Sequence, residues 1–300
     1  LAAVGEPLIR VEGLHYEYQA GTRQPIAALR GIDLTLGAGE YVAIIGANGS
    51  GKSTLLRSLN ALLLPTAGNV RVGNWDTRHA ADLRHIRSTV AMVFQNPDSQ
   101  IVASTVEEDV AFGPENLGIP EPELRQRVEW ALSVAGLSDL RQHASHLLSA
   151  GQKQRLAIAA ALAMRPRCLL FDEATAMLDP AGRTRVLDTM RALHHDGLTI
   201  VTATHHMGEA AQAQRIVVLS VGRIALQGEP RFVFAQAEAL HALQLDVPYP
   251  TRLAQSIAGR VAGFPSDMLT VTELVNAIVA RSGPAGASPA RGSAAYAVEP

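Results

Sequence analysis

The chain has 300 residues, 47% apolar and 18% charged, and its 26 basic and 28 acidic side chains leave a formal net charge of -2. That fits one large globular domain or two with a sizeable core, and the near-neutral balance speaks against a general nucleic-acid binder. The longest apolar run, Leu156–Met164, falls well short of the roughly 18 residues of a membrane span, and the single cysteine, Cys168, excludes an internal disulfide framework and a cysteine-rich zinc site.

The first residues, Leu-Ala-Ala-Val-Gly-Glu, hold no apolar export signal, so a reducing cytosolic setting is the expectation. Leu8–Val11 and His15–Tyr18 read as short strands before a turn near Gly21 and Thr22. Ile32, Leu34 and Leu36 alternate with Asp33 and Thr35, the period of a half-buried strand. Tyr41–Ile45 is an unbroken apolar run, as a buried parallel strand requires. A glycine-rich loop and a helix over Lys52–Leu63, stopped by Pro65, come next, then a buried strand at Val90–Phe94.

Pro120–Gly136 is expected to be helical, with Leu124, Val128, Ala131 and Ala135 on one face, and Gln152–Met164 forms a second, alanine-rich helix. Cys168–Phe171 and Thr199–Ala203 are further buried strands, with a helix over Arg183–His194 between them. Arg215–Ser220 and Arg223–Gln227 read as a hairpin around Val221 and Gly222. Beyond Arg231 the pattern turns to short helices, the clearest over Thr270–Val279, where Thr270 and Glu273 fit a capping box. The Ala-, Gly-, Ser- and Pro-rich stretch 282–300 is expected to be disordered.

Basic residues are nearly all arginine; the only lysines are Lys52 and Lys153, and both fall inside motifs. Gly46-Ala47-Asn48-Gly49-Ser50-Gly51-Lys52-Ser53-Thr54 fits G-x-x-x-x-G-K-[ST] between a buried strand and a helix. Its glycines let backbone N–H groups turn inward around phosphate oxygens, Lys52 reaches the β- and γ-phosphates, and Ser53 offers a hydroxyl to Mg²⁺. Cys168–Asp172 is an apolar strand ending in an acid, with Glu173 next; Asp172 suits Mg²⁺ and Glu173 suits an attacking water. Leu148-Ser149-Ala150-Gly151-Gln152 opens the alanine-rich helix. It reads either as a serine N-cap or as a second anion-binding helix start, reached by a second chain facing the first head-to-tail.

With these three motifs in this order, the chain resembles the ATP-binding cassette (ABC) ATPases over Leu8 to about Gly228. The implied fold is an α/β P-loop NTPase cassette. It has a mostly parallel sheet, an antiparallel β subdomain, an inserted α-helical subdomain at about 95–165 within a domain over 1–230, and a small helical extension over 231–281. The resemblance implies ATP and Mg²⁺ as ligands. Gly46, Asn48, Gly49, Ser50, Gly51, Lys52, Ser53 and Thr54 take the phosphates, Ser53, Gln95 and Asp172 take the metal, and Glu173, His205, Lys52 and Gln95 act in catalysis. Ser149, Gly151 and Gln152 cover the nucleotide of a second subunit, and Asp179 bridges the two. Tyr18 stacks on adenine with Tyr16 as competitor, and His206 competes with His205 for the switch position.

Phe94–Gln100, Glu108–Gly118 and Asp172–Arg183 are similar to the energy-coupling factor (ECF) transporter ATPases. So are Leu245–Pro248 and Leu269–Val275, which lie in a region that helps pair two ATPases in that group. The resemblance implies an ATPase subunit of a vitamin or transition-metal importer at the cytoplasmic face of the cell membrane. Its partners are a second ATPase subunit, a transmembrane coupling subunit and a substrate-binding membrane protein, with no nucleic acid. A conventional ABC importer is the nearest alternative; a soluble ABC ATPase and a purely structural cassette are more distant ones. Two residues depart from the group: Ala150 stands where the signature usually begins its glycine pair, and His206 stands where aspartate is common.

Overall fold

The structure, a computed structural model, describes residues 7–22 and 24–282, so all but Ser282 of the expected tail lies outside the described residues. In chain order the strands are β1 (Ile9–Tyr18), β2 (Ile26–Leu36), β3 (Tyr41–Ile45), β4 (Ala67–Val72), β5 (Trp75–Asp76), β6 (Val90–Val93), β7 (Cys168–Asp172), β8 (Thr199–Ala203), β9 (Arg215–Ser220) and β10 (Arg223–Gly228). The helices are α1 (Lys52–Leu59), α2 (Leu83–Thr89), α3 (Val106–Asn116), α4 (Glu121–Val134), α5 (Ala150–Ala163), α6 (Pro180–His195), α7 (Met207–Ala210), α8 (Pro230–Phe234), α9 (Ala237–Ala242), α10 (Tyr249–Ala258) and α11 (Val271–Ser282).

Two sheets form. The antiparallel one has the order β2-β1-β4-β5, and the other has β10-β9-β3-β8-β7-β6, parallel throughout except for the β9–β10 hairpin. The two expected short strands near the start are one strand, β1, whose register shifts between Val11 and Leu14 around Gly13 at φ 52°. A Cβ on Gly68 would stand 2.0 Å from the Gly13 carbonyl oxygen, so β1 and β4 meet only because Gly68 has no side chain. β3, β7 and β8 are buried along their whole length, which is why β3 reads as an unbroken apolar run and β7 and β8 as mostly apolar ones, broken only by Asp172 and by Thr199 and Thr202.

Leu55, Leu56 and Leu59 of α1 join Val42, Ile44, Leu170, Val201 and Val217 of the parallel sheet and the inner residues of β1 and β2 in one apolar core. α1 is shorter than expected, because Asn60 leaves the helix and Ala61 adopts φ 58°. α3, α4 and α5 pack on one another as the helical insertion. Thr105 caps α3 in a reciprocal box with Glu108, and Pro114 sits inside the helix.

The chain divides into two compact units after Val247 rather than at the expected 230/231 boundary. α8 lies against β9 and β10 and fully buries Val233 and Phe234, which anchors the residues after 230 to the first unit. In the second unit, α10 and α11 enclose Ala254, Phe264 and Leu274. Glu273 N–H donates to Thr270 as expected, but the Glu273 carboxylate accepts from the Leu269 N–H rather than from Thr270.

Candidate functional site

The parallel order β3-β8-β7 brings three carboxyl ends together: the loop after Ile45, the acids after Phe171 and the turn after Ala203. Ligands of open α/β sheets bind at this edge. A cleft of about 980 Å³ opens there, lined by Tyr18, residues 46–54, Gln95, Glu173 and His205.

The loop wraps tightly because it must. A Cβ on Gly46 would lie 2.5 Å from the Leu219 carbonyl oxygen, and one on Gly51, at φ 106°, 2.7 Å from that of Ala28. Gly51 is also the N-cap of α1 and offers no side-chain cap, so the first N–H groups of the helix are left for an anion. Lys52 is nearly buried and folds back over the loop, donating to the Gly46 carbonyl at 2.9 Å and the Ala47 carbonyl at 3.3 Å.

Beside the loop, Ser53 Oγ donates to Asp172 Oδ1 at 2.7 Å. Burial pushes the Asp172 carboxyl above its ordinary value, and the Ser53 hydrogen bond pulls it back. A hydroxyl and a carboxylate facing each other are hard oxygen donors that suit Mg²⁺, which takes its remaining ligands from water and substrate phosphates. Among the described residues, no cluster of three or more His, Cys, Asp or Glu side chains forms a self-sufficient metal site.

Glu173 is the convergence point. Its N–H continues the sheet by donating to the Ala203 carbonyl at 2.9 Å, and its backbone then turns left-handed at φ 48°. A non-glycine residue held there costs on the order of 1–3 kcal/mol. Gln95 Nε2 donates to Glu173 Oε2 at 3.2 Å, and His205 Nδ1 lies 3.3 Å from that same oxygen. Lys52 Nζ lies 3.7 Å from Glu173 Oε1.

Each expected pair of competitors separates. Tyr18 lines the cleft and its hydroxyl lies 3.1 Å from Thr54 Oγ1; Tyr16 lies outside, edge-on to Tyr18 at 4.9 Å. His205 lines the cleft; His206 does not, although its ring lies 4.1 Å from that of His205, and burial holds its imidazole below the ordinary value.

Four expected residues are not brought to this cleft. Ser149 caps α5 in a reciprocal box with Gln152, which places both and Gly151 elsewhere on the chain. Asp179 caps α6 by accepting from the Gly182 N–H at 2.8 Å and is also absent from the lining. Conversely, Gln244, Leu245 and Asp246 line the cleft; Leu245 and Asp246 belong to a stretch expected to serve pairing, and nothing in the sequence points them at this cleft. Buried Glu209 is a further residue that sequence reasoning missed; the only hint is an acid four positions after His205.

A family model described as ABC transporter matches residues 29–176. The energy-coupling factor transporter ATP-binding protein EcfA1 of Symbiobacterium thermophilum is 53% identical over 277 residues, covering 91% of this chain and 96% of that protein. The chain belongs to the ECF transporter ATP-binding proteins. The same-named protein of Clostridioides difficile is 49% identical over 269 residues, covering 89% of this chain and 97% of its own.

Among solved structures, cbiO1 from Clostridium perfringens, described as part of the ABC transporter complex cbiONQ, is 37% identical with a TM-score of 0.70. The match covers 80% of this chain and 95% of that one. A dimeric ATP-binding cassette in a post-hydrolysis state, bound to ADP and Pi, is 31% identical with a TM-score of 0.67, covering 74% and 98%. This ECF ATPase therefore has the ABC-type P-loop α/β fold, binds ATP and couples its hydrolysis to transport.

Proposed function

We propose that two cassettes, this chain and an identical or paralogous one, enclose ATP head-to-tail and drive a micronutrient importer for a vitamin or transition-metal ion. The observation that carries the hydrolytic reading is the meeting of Gln95 and His205 on one oxygen of Glu173, next to a loop built for phosphates. A lone carboxylate at the cleft mouth would be free to rotate. Here it is held from two sides, and Lys52 stands on its third.

Tyr18 places the adenine, and the N–H groups of residues 46–54 surround the phosphates. Lys52 leaves the Gly46 and Ala47 carbonyls for the γ-phosphate. Glu173 accepts a hydrogen bond from the attacking water, and His205 and Gln95 fix where that carboxylate points. Catalysis at such a site is mostly positioning and electrostatic stabilisation. Ser53, Asp172 and Gln95 would hold Mg²⁺, which supplies charge neutralisation of the phosphate oxygens when bound.

Ser149, Gly151, Gln152 and Asp179 then serve the nucleotide of the second subunit, in keeping with their absence from this chain's own cleft. The relatives' names and the cbiONQ assembly support a transmembrane coupling subunit and a substrate-binding membrane protein as further partners. Among the described residues no helix is long and apolar enough to cross a membrane, so attachment at the cytoplasmic face rests on those partners. The unit beginning at Pro248 assists pairing of the two ATPases.

The test is purification from native membranes followed by reconstitution into vesicles. A coupling subunit and a small membrane-embedded binding protein should co-purify, and ATP should drive uptake of the bound micronutrient. Recovery with ribosomes or DNA, without membrane subunits, would overturn the transport reading.

A further inference from the structure

Glu209 is 6% exposed and lies outside the cleft, yet its carboxylate joins two segments that border it. Thr175 Oγ1 donates to Glu209 Oε1 at 2.8 Å, and Thr204 Oγ1 donates to Glu209 Oε2 at 2.9 Å. Arg183 Nε, near the start of α6, lies 3.6 Å from Oε1 and offsets the buried charge. Thr175 stands two residues after Glu173, and Thr204 stands immediately before His205. The Thr204 hydroxyl also accepts from the His206 N–H at 3.0 Å, which fixes the turn that carries His205. The Glu209 N–H donates to the His206 carbonyl at 3.0 Å, so the acid is itself seated on that turn.

The connections form a closed circuit. On the cleft side His205 Nδ1 meets Glu173 Oε2 at 3.3 Å; on the core side Thr175, Glu209 and Thr204 link the same two segments. A carboxylate suits this place because it accepts from two hydroxyls at once and donates to neither, and charge-assisted hydrogen bonds of this kind are stronger than neutral ones. Thr175 and Arg183 also flank residues 176–179, the stretch that ends at Asp179.

We propose that Glu209 is a positioning residue that fastens the segment from Thr175 to Arg183 to the turn carrying His205, so that seating a second subunit against Asp179 and aiming His205 at Glu173 occur together. It touches neither nucleotide nor water. Its effect falls on turnover, because a displacement of about 1 Å in a catalytic group costs far more in rate than in ground-state binding. The inference rests on the ATPase reading above.

The test uses the full-length chain and steady-state ATPase kinetics. Thr175→Val removes one hydroxyl donor, Thr175→Ser keeps it, and Glu209→Gln removes the charge while keeping the shape. Thr175→Val and Glu209→Gln should each lower kcat about 10-fold while KM for ATP stays within about 2-fold. Thr175→Ser should restore kcat to within about 2-fold of wild type, and the double variant should be no slower than the worse single one.

Wild-type kcat in Thr175→Val, losses that multiply in the double variant, or a Thr175→Ser variant as slow as Thr175→Val would overturn the proposal. Melting temperatures measured alongside separate unfolding from misalignment: a kcat loss that follows a lost melting transition in every variant, serine included, also counts against it. Wild-type protein without ATPase activity, or full activity in Glu173→Gln, would instead sink the underlying reading.

Discussion

Lys153 Nζ, in the first turn of α5, donates to Asp98 Oδ1 at 2.7 Å. Its neighbour Gln154 reaches back to the Phe94 carbonyl at 3.4 Å. Two consecutive residues of α5 thus hold both ends of the segment that presents Gln95 to Glu173. The helix capped by Ser149 is thereby tied directly to the loop that carries Gln95.

From this linkage Lys153→Met should change stability little, since an ion pair with Asp98 64% exposed is worth about 1 kcal/mol or less. The loss should fall on coupling. In vesicles holding the whole assembly, substrate moved per ATP hydrolysed should drop while the melting temperature stays near wild type.

Glu173→Gln preserves the side-chain shape and the contact with Gln95 but removes the charge that accepts a proton from water. ATP binding, followed by equilibrium nucleotide titration, should persist. Steady-state hydrolysis should fall by about 10²–10⁴-fold, the usual contribution of a positioned general base.

Gly151 presents a different case. A Cβ there would meet nothing within 4 Å in this chain, so nothing internal requires glycine. Gly151→Ala should leave the melting temperature unchanged or slightly higher, because alanine is the better helix former by about 1 kcal/mol. Its ATPase activity should nevertheless fall if, as proposed above, this helix start covers the second subunit's nucleotide. Ala150→Gly should behave in the opposite sense, with slightly lower stability and equal or greater turnover. Calorimetry and ATPase assays on the same preparations check both.

The elements legible from sequence were those whose burial is complete or whose signal is local. Tyr41–Ile45, Thr199–Ala203 and Arg215–Ser220 match β3, β8 and β9 residue for residue, because strands whose middle is covered on both faces carry a continuous apolar or small-residue centre. The phosphate loop was legible because its chemistry lies within nine consecutive residues. α3 was not resolved from the insertion because Gly113 and Pro114 interrupt its helical pattern, although the Thr105–Glu108 capping box and the acids of its first turn mark its start. The cleft residues Gln244–Asp246 and the bridge through Glu209 arise only when distant segments fold together. The burial of Val233 and Phe234, which ties the residues after 230 to the first unit, is likewise a tertiary fact.

The antiparallel sheet offers a pH-dependent prediction. Arg78 Nη2 lies 2.8 Å from Asp76 Oδ2, and this hydrogen-bonded guanidinium holds the nearly buried carboxyl down at about 2. An unfolded aspartate titrates near 3.9. A depressed folded value means that the stabilisation is fully present above about pH 4 and is lost as pH falls toward 2. Arg78→Ala should therefore be less stable than wild type at pH 7, with the gap narrowing at pH 3. Urea-unfolding midpoints at the two pH values measure it.

Cys168 has no exposed surface, and burial drives its thiol well above the ordinary range. A thiol that is both protonated and unreachable does not react with maleimides. Because it is the chain's only cysteine, the native protein is silent to thiol-directed fluorophores. A cysteine placed at Leu147, whose surface is 78% exposed, would take up dye alone beside the signature helix, so opening and closing can be followed one molecule at a time without altering the natural background.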